Sequence, residues 1–209
     1  MIVYGVGASP FVRKVLVAAA EKNLAVEHVP LLFHASDPEF RACSPFGKIP
    51  AFRDGDVRLA DSSAICAYLE RKCPTPPLVP DDAEALARVV WFDKFAGTEL
   101  FAPIGTIFFE LFFKPKRLAR APDREVAEAA QVHGLPPLCD YLEGRLDGEF
   151  LVGGRLTLAD IAVASPFVNL AMVERGVEAS RWPRLAAFIE RVTARESFRQ
   201  AGENALAVA

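Results

Sequence analysis

Three adjacent segments decide the fold: Ser44-Pro45-Phe46-Gly47-Lys48-Ile49-Pro50-Ala51-Phe52, then Asp54-Gly55-Asp56-Val57-Arg58-Leu59, then Asp61-Ser62-Ser63-Ala64-Ile65. An Asp-Gly pair between two short apolar runs is the strongest local signal for a two-strand hairpin. Pro50 opens the first of those strands, where its missing N–H breaks no ladder and a cis peptide is easily adopted. With Ile49–Pro50 cis, the N–H and C=O of Ile49 turn outward, free to pair with an extended, peptide-like ligand. An ordinary edge-strand proline is the alternative. A helix from Ser62 to Cys73 follows, with Ile65, Leu69 and the ring of Tyr68 on its apolar face. Beside Asp61 and Ser62 its first amides and positive dipole end offer a place for a carboxylate. Simple capping is the commoner use of such residues.

Upstream, Ile2 to Tyr4 reads as a short strand ended by Gly5 and Gly7. Ser9-Pro10 starts a helix, with serine as N-cap and proline at the first helical position. Val12, Val15, Leu16 and Ala19 recur at helical spacing, and Asn23 is the stop. Val26 to Val29 reads as a second strand, parallel to the first because a helix separates them. Residues 37 to 43 hold one polar helical turn. Downstream, Pro74, Pro76, Pro77 and Pro80 form a semi-rigid linker. Beyond it the pattern is helical only. One helix is expected from Ala83 to Phe113, weakened at Pro103 and ended at Lys114-Pro115. A second, from Glu125 to Leu146, bends near Gly134 and Pro136-Pro137. Others span Thr157 to Glu174 and Leu185 to Ala194, with a short one after Ser197. Leu156-Thr157-Leu158-Ala159-Asp160-Ile161 carries a capping box and its hydrophobic staple. The fold class expected is an α/β domain over residues 1–76 followed by an all-helical domain over 84–209.

The chain has 209 residues, 52% hydrophobic and 24% charged, with a net charge of −3, a balance that excludes intrinsic disorder. A mildly acidic chain without a basic run argues against nucleic-acid binding. It opens Met1-Ile2-Val3-Tyr4-Gly5, with no secretory leader visible. The longest apolar stretch, Leu100 to Phe113, is interrupted by Pro103 and Glu110 and reads as too short to span a bilayer, so no membrane is expected. Cys43, Cys66, Cys73 and Cys139 form neither a CxxC nor a disulfide framework, which predicts a reducing, cytoplasmic home. His28, His34 and His133 are dispersed, so no metal site is expected. Gly5-Val6-Gly7-Ala8-Ser9-Pro10, with Glu27 downstream, suggests a dinucleotide turn. Against it, Pro10 replaces the third glycine and the hairpin breaks the parallel series.

In their order and spacing, Ser9-Pro10-Phe11, Ser44-Pro45-Phe46-Gly47-Lys48-Ile49-Pro50 and Asp61-Ser62-Ser63-Ala64-Ile65 resemble the cytosolic glutathione transferase family, serine-type and bacterial-like. The resemblance covers essentially the whole chain. It implies a thioredoxin-like N-terminal domain that binds glutathione as co-substrate, and a helical domain that helps to bind a soft electrophile. A glutathione-dependent isomerase or dehalogenase, or a non-enzymatic interaction protein, are the alternatives on the same scaffold. Carried over residue by residue, Ser9 matches the serine that faces the glutathione sulfur and is the expected catalytic residue. Phe11 belongs to the glutathione site. Ile49 matches the backbone partner of the cysteinyl portion, and Pro50 the cis-proline. Asp61 and Ser62 match the residues that hold the γ-glutamyl end, although most members carry glutamate or glutamine where Asp61 stands. Lys48 is the candidate for the glycyl carboxylate, with His34 as the weaker one.

Tyr4 is the rival to Ser9, since tyrosine-type members use a tyrosine after the first strand, but Tyr4 lies inside it. No cysteine stands at or beside Ser9, and Cys43 and Cys66 read as buried or incidental thiols. The box at Thr157 and Asp160 matches one that opens a buried central helix and serves folding. The resemblance also implies a C2 homodimer, which the aromatic surplus at Trp91, Phe92, Phe95 and Phe101 supports. Phe101, Ile104, Gly105, Phe108, Phe109 and Phe112 form a helical stripe that belongs to core or subunit interface. Alternatively, Phe101, Gly105 and Phe108 line an apolar pocket for the second substrate.

Overall fold

Prolines and short polar side chains mark where the elements begin. Four strands, β1 (Ile2–Tyr4), β2 (Glu27–Val29), β3 (Ala51–Asp54) and β4 (Val57–Ala60), make one mixed sheet in the order β2-β1-β3-β4. In the computed structural model, which describes residues 1–202, β1 runs parallel to β2 and antiparallel to β3, and β3 and β4 are the hairpin read from Asp54-Gly55. The helices α1 (Pro10–Glu21), α2 (Pro38–Cys43) and α3 (Ser62–Lys72) start at the N-caps Ser9, Asp37 and Asp61. Proline at the first helical turn of α1 and α2 has no amide left to satisfy.

The chain divides into two compact units, Met1–Pro80 together with the residues from Ala194, and Asp81–Thr193. The sequence reading drew the second domain to the end of the chain. In the structure the last helix, α9 (Glu196–Gly202), packs on α1 of the first unit. Glu21 at the end of α1 accepts from Arg195 Nε at 2.7 Å, from Arg195 Nη2 at 2.8 Å and from the Ser197 hydroxyl at 2.6 Å. Burial works to raise the Glu21 carboxyl, but the hydrogen bonds and charge opposite hold it below its ordinary value. Flanked by α3 and α9, α1 buries even Arg13 and Lys14, which no apolar periodicity announces. The proline linker is pinned to this unit. Buried Lys22 donates to the carbonyls of Cys73 at 2.7 Å and Pro76 at 2.9 Å and pairs with Glu70 at 2.7 Å. Glu70 in turn accepts the amides of Leu78 and Val79.

The second unit is helical throughout. Its longest element, α4, runs unbroken from Ala83 to Arg117, past the expected stop at Lys114-Pro115. Stretches of π-helix at Ala96–Leu100 and Phe109–Phe113 precede Pro103 and Pro115 in α4, and a third at Ala130–Gly134 precedes Pro136. A proline ring clashes with the carbonyl one turn back, and the wider i→i+5 turn moves that carbonyl aside. Because α4 continues through both prolines, it is long and apolar enough to cross a bilayer, contrary to the expectation from the sequence. Its Leu100, Ile104, Ile107 and Phe112 are buried inside the helical unit.

After α5 (Arg124–Ala129) and α6 (Pro136–Glu143), the almost wholly buried α7 (Leu158–Ala171) forms the centre of this unit, against which α4 and α8 (Pro183–Thr193) pack. Phe92 and Phe95 are buried around the ring of Tyr141, whereas Trp91 stays 56% exposed. Of the four aromatics in this surplus, Phe92 and Phe95 are therefore core, Phe101 is half-buried and Trp91 is exposed.

Candidate active site

The strand register assembles the site. Tyr4 lies opposite both Val29 and Ala51, and Ala51 lies opposite Ala60. Four connections therefore leave the sheet at one end: Gly5 to Ser9, Pro30 onward, the approach to Pro50, and Asp61-Ser62. Gly5 lets two of them touch. At φ +137°, a Cβ on it would fall 2.9 Å from Cβ of Ile49 and 2.6 Å from Cγ2 of Val12, so only a hydrogen fits there. Ile49–Pro50 is a cis peptide, half-buried at Ile49 and buried at Pro50. From the other side, Lys14 Nζ donates to the Ser63 hydroxyl at 3.2 Å and ties α1 to the start of α3.

Ser9 stands half-exposed at the positive end of α1. Its hydroxyl oxygen accepts from the Val12 amide at 3.5 Å, the outer limit of a hydrogen bond. Its own O–H proton has no acceptor among the described residues. The hydroxyl is thus only loosely committed to capping and keeps a donor to offer. Phe11, half-buried, is the second residue of the same helix.

The α3 terminus divides its work between neighbours. Asp61 Oδ1 accepts from the amides of Ser63 at 2.9 Å and Ala64 at 3.0 Å, so one of its oxygens is a helix cap. Asp61 adopts φ +95°, a strained conformation for a non-glycine residue of the kind that gathers at functional sites. The Ser62 side chain is buried, and its hydroxyl makes no hydrogen bond among the described residues. Lys48 is exposed, with its carbonyl held by the Ser44 hydroxyl at 2.7 Å. His34 is exposed on the neighbouring loop, and its amide donates to Gly47 O at 2.7 Å.

Tyr4 does not join this group. Its ring is buried in a core cluster with Phe40, Cys43 and Ala51, and burial pushes its hydroxyl up from the ordinary value. Cys43 and Cys66 are buried too, and burial raises the Cys43 thiol. Among the described residues, no three His, Cys, Asp or Glu side chains gather as they would around a metal ion. In the second unit Phe101, Gly105 and Phe108 are all half-buried on α4. The Phe101 ring lies over Gly105, where a Cβ would stand 3.0 Å from it, and Phe108 stacks on Phe112 with centroids 4.8 Å apart. Two features carried no usable sequence signal. The close approach at Gly5 could be suspected only from its place after a strand, and the Lys14 tie not at all.

A four-stranded sheet with a cis-proline and two helix N-termini at one end, followed by a helical unit, defines a thioredoxin-like domain with an all-helical second domain. Residues 3–77 match the glutathione S-transferase N-terminal domain and residues 100–196 the C-terminal domain. Glutathione S-transferase 3 of Zea mays is 34% identical over 206 residues, covering 94% of this chain and 90% of that one. A glutathione S-transferase structure from Rhodospirillum rubrum superposes with a TM-score of 0.84 at 30% identity, over 96% of this chain and 90% of its own. Glutathione S-transferase I of maize, in complex with an atrazine–glutathione conjugate, gives 0.84 at 26% identity over 100% and 99%. The chain belongs to the glutathione S-transferase family and is an enzyme with glutathione as co-substrate. The Zea mays and Rhodospirillum rubrum relatives are about equally similar, so these likenesses do not single out the expected bacterial-like type.

Proposed function

We propose that this transferase is serine-type: Ser9 donates its hydroxyl hydrogen bond to the thiolate of glutathione, at the positive end of α1, and so raises the thiolate fraction at neutral pH. The observation that carries this reading is the loosely capped, half-exposed Ser9 hydroxyl with its proton uncommitted. The cysteinyl backbone pairs with the N–H and C=O of Ile49 beside cis Pro50. The γ-glutamyl carboxylate takes the Ser62 hydroxyl and the α3 terminus, and its ammonium faces the Asp61 oxygen that does not cap. Lys48 and His34 face the glycyl end, and Phe11 borders the site. The sulfur then attacks a soft electrophile and forms a carbon–sulfur bond while the leaving group departs with its electron pair. Phe101, Gly105 and Phe108 offer that electrophile an apolar surface. The maize relative that holds an atrazine–glutathione conjugate supports a product of this kind in the same fold.

Calorimetric titration with glutathione tests the site. A hydrogen bond to a charged group is worth roughly 1.5–3 kcal/mol, so Ser62→Ala should bind glutathione about ten- to a hundredfold more weakly. Asp61, not Ser62, caps α3, so the variant keeps its fold. An unchanged dissociation constant would move the γ-glutamyl site elsewhere.

The same reading places the enzyme in the cytoplasm, in detoxification, as a C2 homodimer with the N-terminal domain of one subunit against the helices of the other. Exposed Leu86, Val90 and Trp91 on α4 and the 80% exposed Phe46 support an apolar interface. Light scattering at micromolar concentration should report twice the 22.8 kDa chain mass, and a monomer there would sink the dimer.

A further inference from the structure

Just past β1, the carbonyl of Gly5 has lost its partner in the sheet and gained one from a side chain. The ladder between β1 and β2 includes Glu27 N–H to Met1 O at 3.0 Å and ends with Gly5 N–H to Val29 O at 3.0 Å. The even spacing of parallel pairing would next bring the Leu31 amide onto Gly5 O. But β2 stops at Val29, before Pro30, and that rung is absent among the described residues. On the other flank, one step past the Tyr4–Ala51 pair, stands Pro50, which has no N–H to give. His28 fills the gap: its Nε2–H donates to Gly5 O at 2.7 Å. A carbonyl only accepts, so Nε2 carries the hydrogen in the neutral ring as in the cation. Gly5 is buried, and a buried carbonyl requires such a donor.

The contact holds the turn that ends at Ser9. Gly5 adopts φ +137°, and a glycine left to itself allows the peptide that follows to rotate. With its N–H on Val29 and its C=O on His28, the residue is fixed at both groups by β2. The next carbonyl, that of Val6, accepts the Ser9 amide at 3.0 Å, and Ser9 O accepts the Arg13 amide at 2.9 Å as α1 begins. Ser9's own cap contact, at 3.5 Å, is too long to fix the direction of its hydroxyl alone.

We propose that His28 is a positioning residue for Ser9: by holding the Gly5 carbonyl it sets the direction from which the Ser9 hydroxyl meets the glutathione sulfur. The inference rests on the reading that Ser9 donates to the thiolate. A hydrogen bond weakens steeply as its angle closes, so a small rotation of this turn reduces what Ser9 gives to the anion. His28 stands apart from other metal-ligating residues in the sequence, and its partner depends on where β2 stops.

The test follows the thiolate absorbance of bound glutathione against pH in His28→Leu, His28→Ala and His28→Gln, each with and without Ser9→Ala. His28 is half-buried beside a cleft of about 1000 Å³ between α1, β2 and α9, so all three side chains fit in its place. Leucine keeps the bulk without the donor, alanine removes both, and the glutamine amide restores a donor near the position of Nε2. His28→Leu and His28→Ala should both raise the thiol titration by about half to one pH unit and lower turnover at pH 7 about three- to tenfold. Glutathione affinity by calorimetry should move less than about twofold, a split that a general loss of structure would not give. His28→Gln should titrate close to the wild type. In the Ser9→Ala background, none of the three should add a further shift, because the donor they position is gone. If Ser9→Ala shifts the titration and His28→Leu and His28→Ala do not, the positioning role is overturned and the Ser9 reading stands. A shift that glutamine fails to reverse, or that persists in full without the serine hydroxyl, overturns it as well. If Ser9→Ala is itself silent, the Ser9 reading falls and this inference with it.

Discussion

In Ser9→Ala, the thiol of bound glutathione should titrate about one to two pH units higher than in the wild type, from a lost hydrogen bond of roughly 1.5–3 kcal/mol at 1.36 kcal/mol per unit. A free thiol with a pKa of about 8.5 is only a few per cent thiolate at neutral pH, and the thiolate is the nucleophile. A hydroxyl is too weak an acid to take the thiol proton usefully, so Ser9 acts as a donor to the anion, helped by the dipole of α1. The sign follows: removing a donor to the charged form raises the pKa and lowers the thiolate fraction at pH 7. Turnover at neutral pH should fall about ten- to a hundredfold, with glutathione affinity changed little. At a pH above the shifted pKa, the two enzymes should converge. Loss of an N-cap costs about 0.5–2 kcal/mol, and a cap as long as 3.5 Å belongs at the low end, so the fold survives. Thiolate absorbance of the complex against pH is the measurement. Overlaid titrations with equal rates would reduce Ser9 to a helix cap.

Asp160→Ala should destabilise the protein more than any other substitution considered. Asp160 is completely buried at the start of α7. It accepts from the Leu151 amide at 2.8 Å, the Thr157 amide at 2.7 Å and the Thr157 hydroxyl at 2.9 Å. Burial pushes its carboxyl up, and these three donors pull against that rise. An alanine leaves both amides buried without a partner, at about 1–3 kcal/mol each, so the expected loss is about 3–5 kcal/mol. Against a total stability of about 5–15 kcal/mol that is a large share. Urea unfolding should show a markedly lower midpoint with an unchanged slope. Asp160→Asn retains an acceptor and should fall between. A loss of less than about 1 kcal/mol would mean that the loop before α7 finds other partners.

The local chemistry of this chain was open to reading because it depends on neighbours in sequence. Asp54-Gly55 turns a hairpin, Ser9-Pro10 starts a helix, and Thr157 with Asp160 forms a capping box, each through contacts within four residues. The order of strands and helices, the cis context of Pro50 and the family itself followed from such signals.

What depends on distant partners was decided only by the fold. Arg13 and Lys14 are buried because α1 is flanked by α3 and by α9, which arrives from the far end of the chain. Phe92 and Phe95 became core because Tyr141 lies against them, while Trp91, one residue away, stayed outside. Pro103 and Pro115 did not end α4 because π-turns upstream absorbed the clash, and helical spacing does not encode that adjustment. Asp61 and Ser62 read alike as site residues, yet only backbone geometry assigned capping to one and left the other's hydroxyl without a partner among the described residues. Sequence alone determined which elements form, because capping and turn formation are short-range; tertiary structure decided which side chains meet, because that depends on residues far apart along the chain.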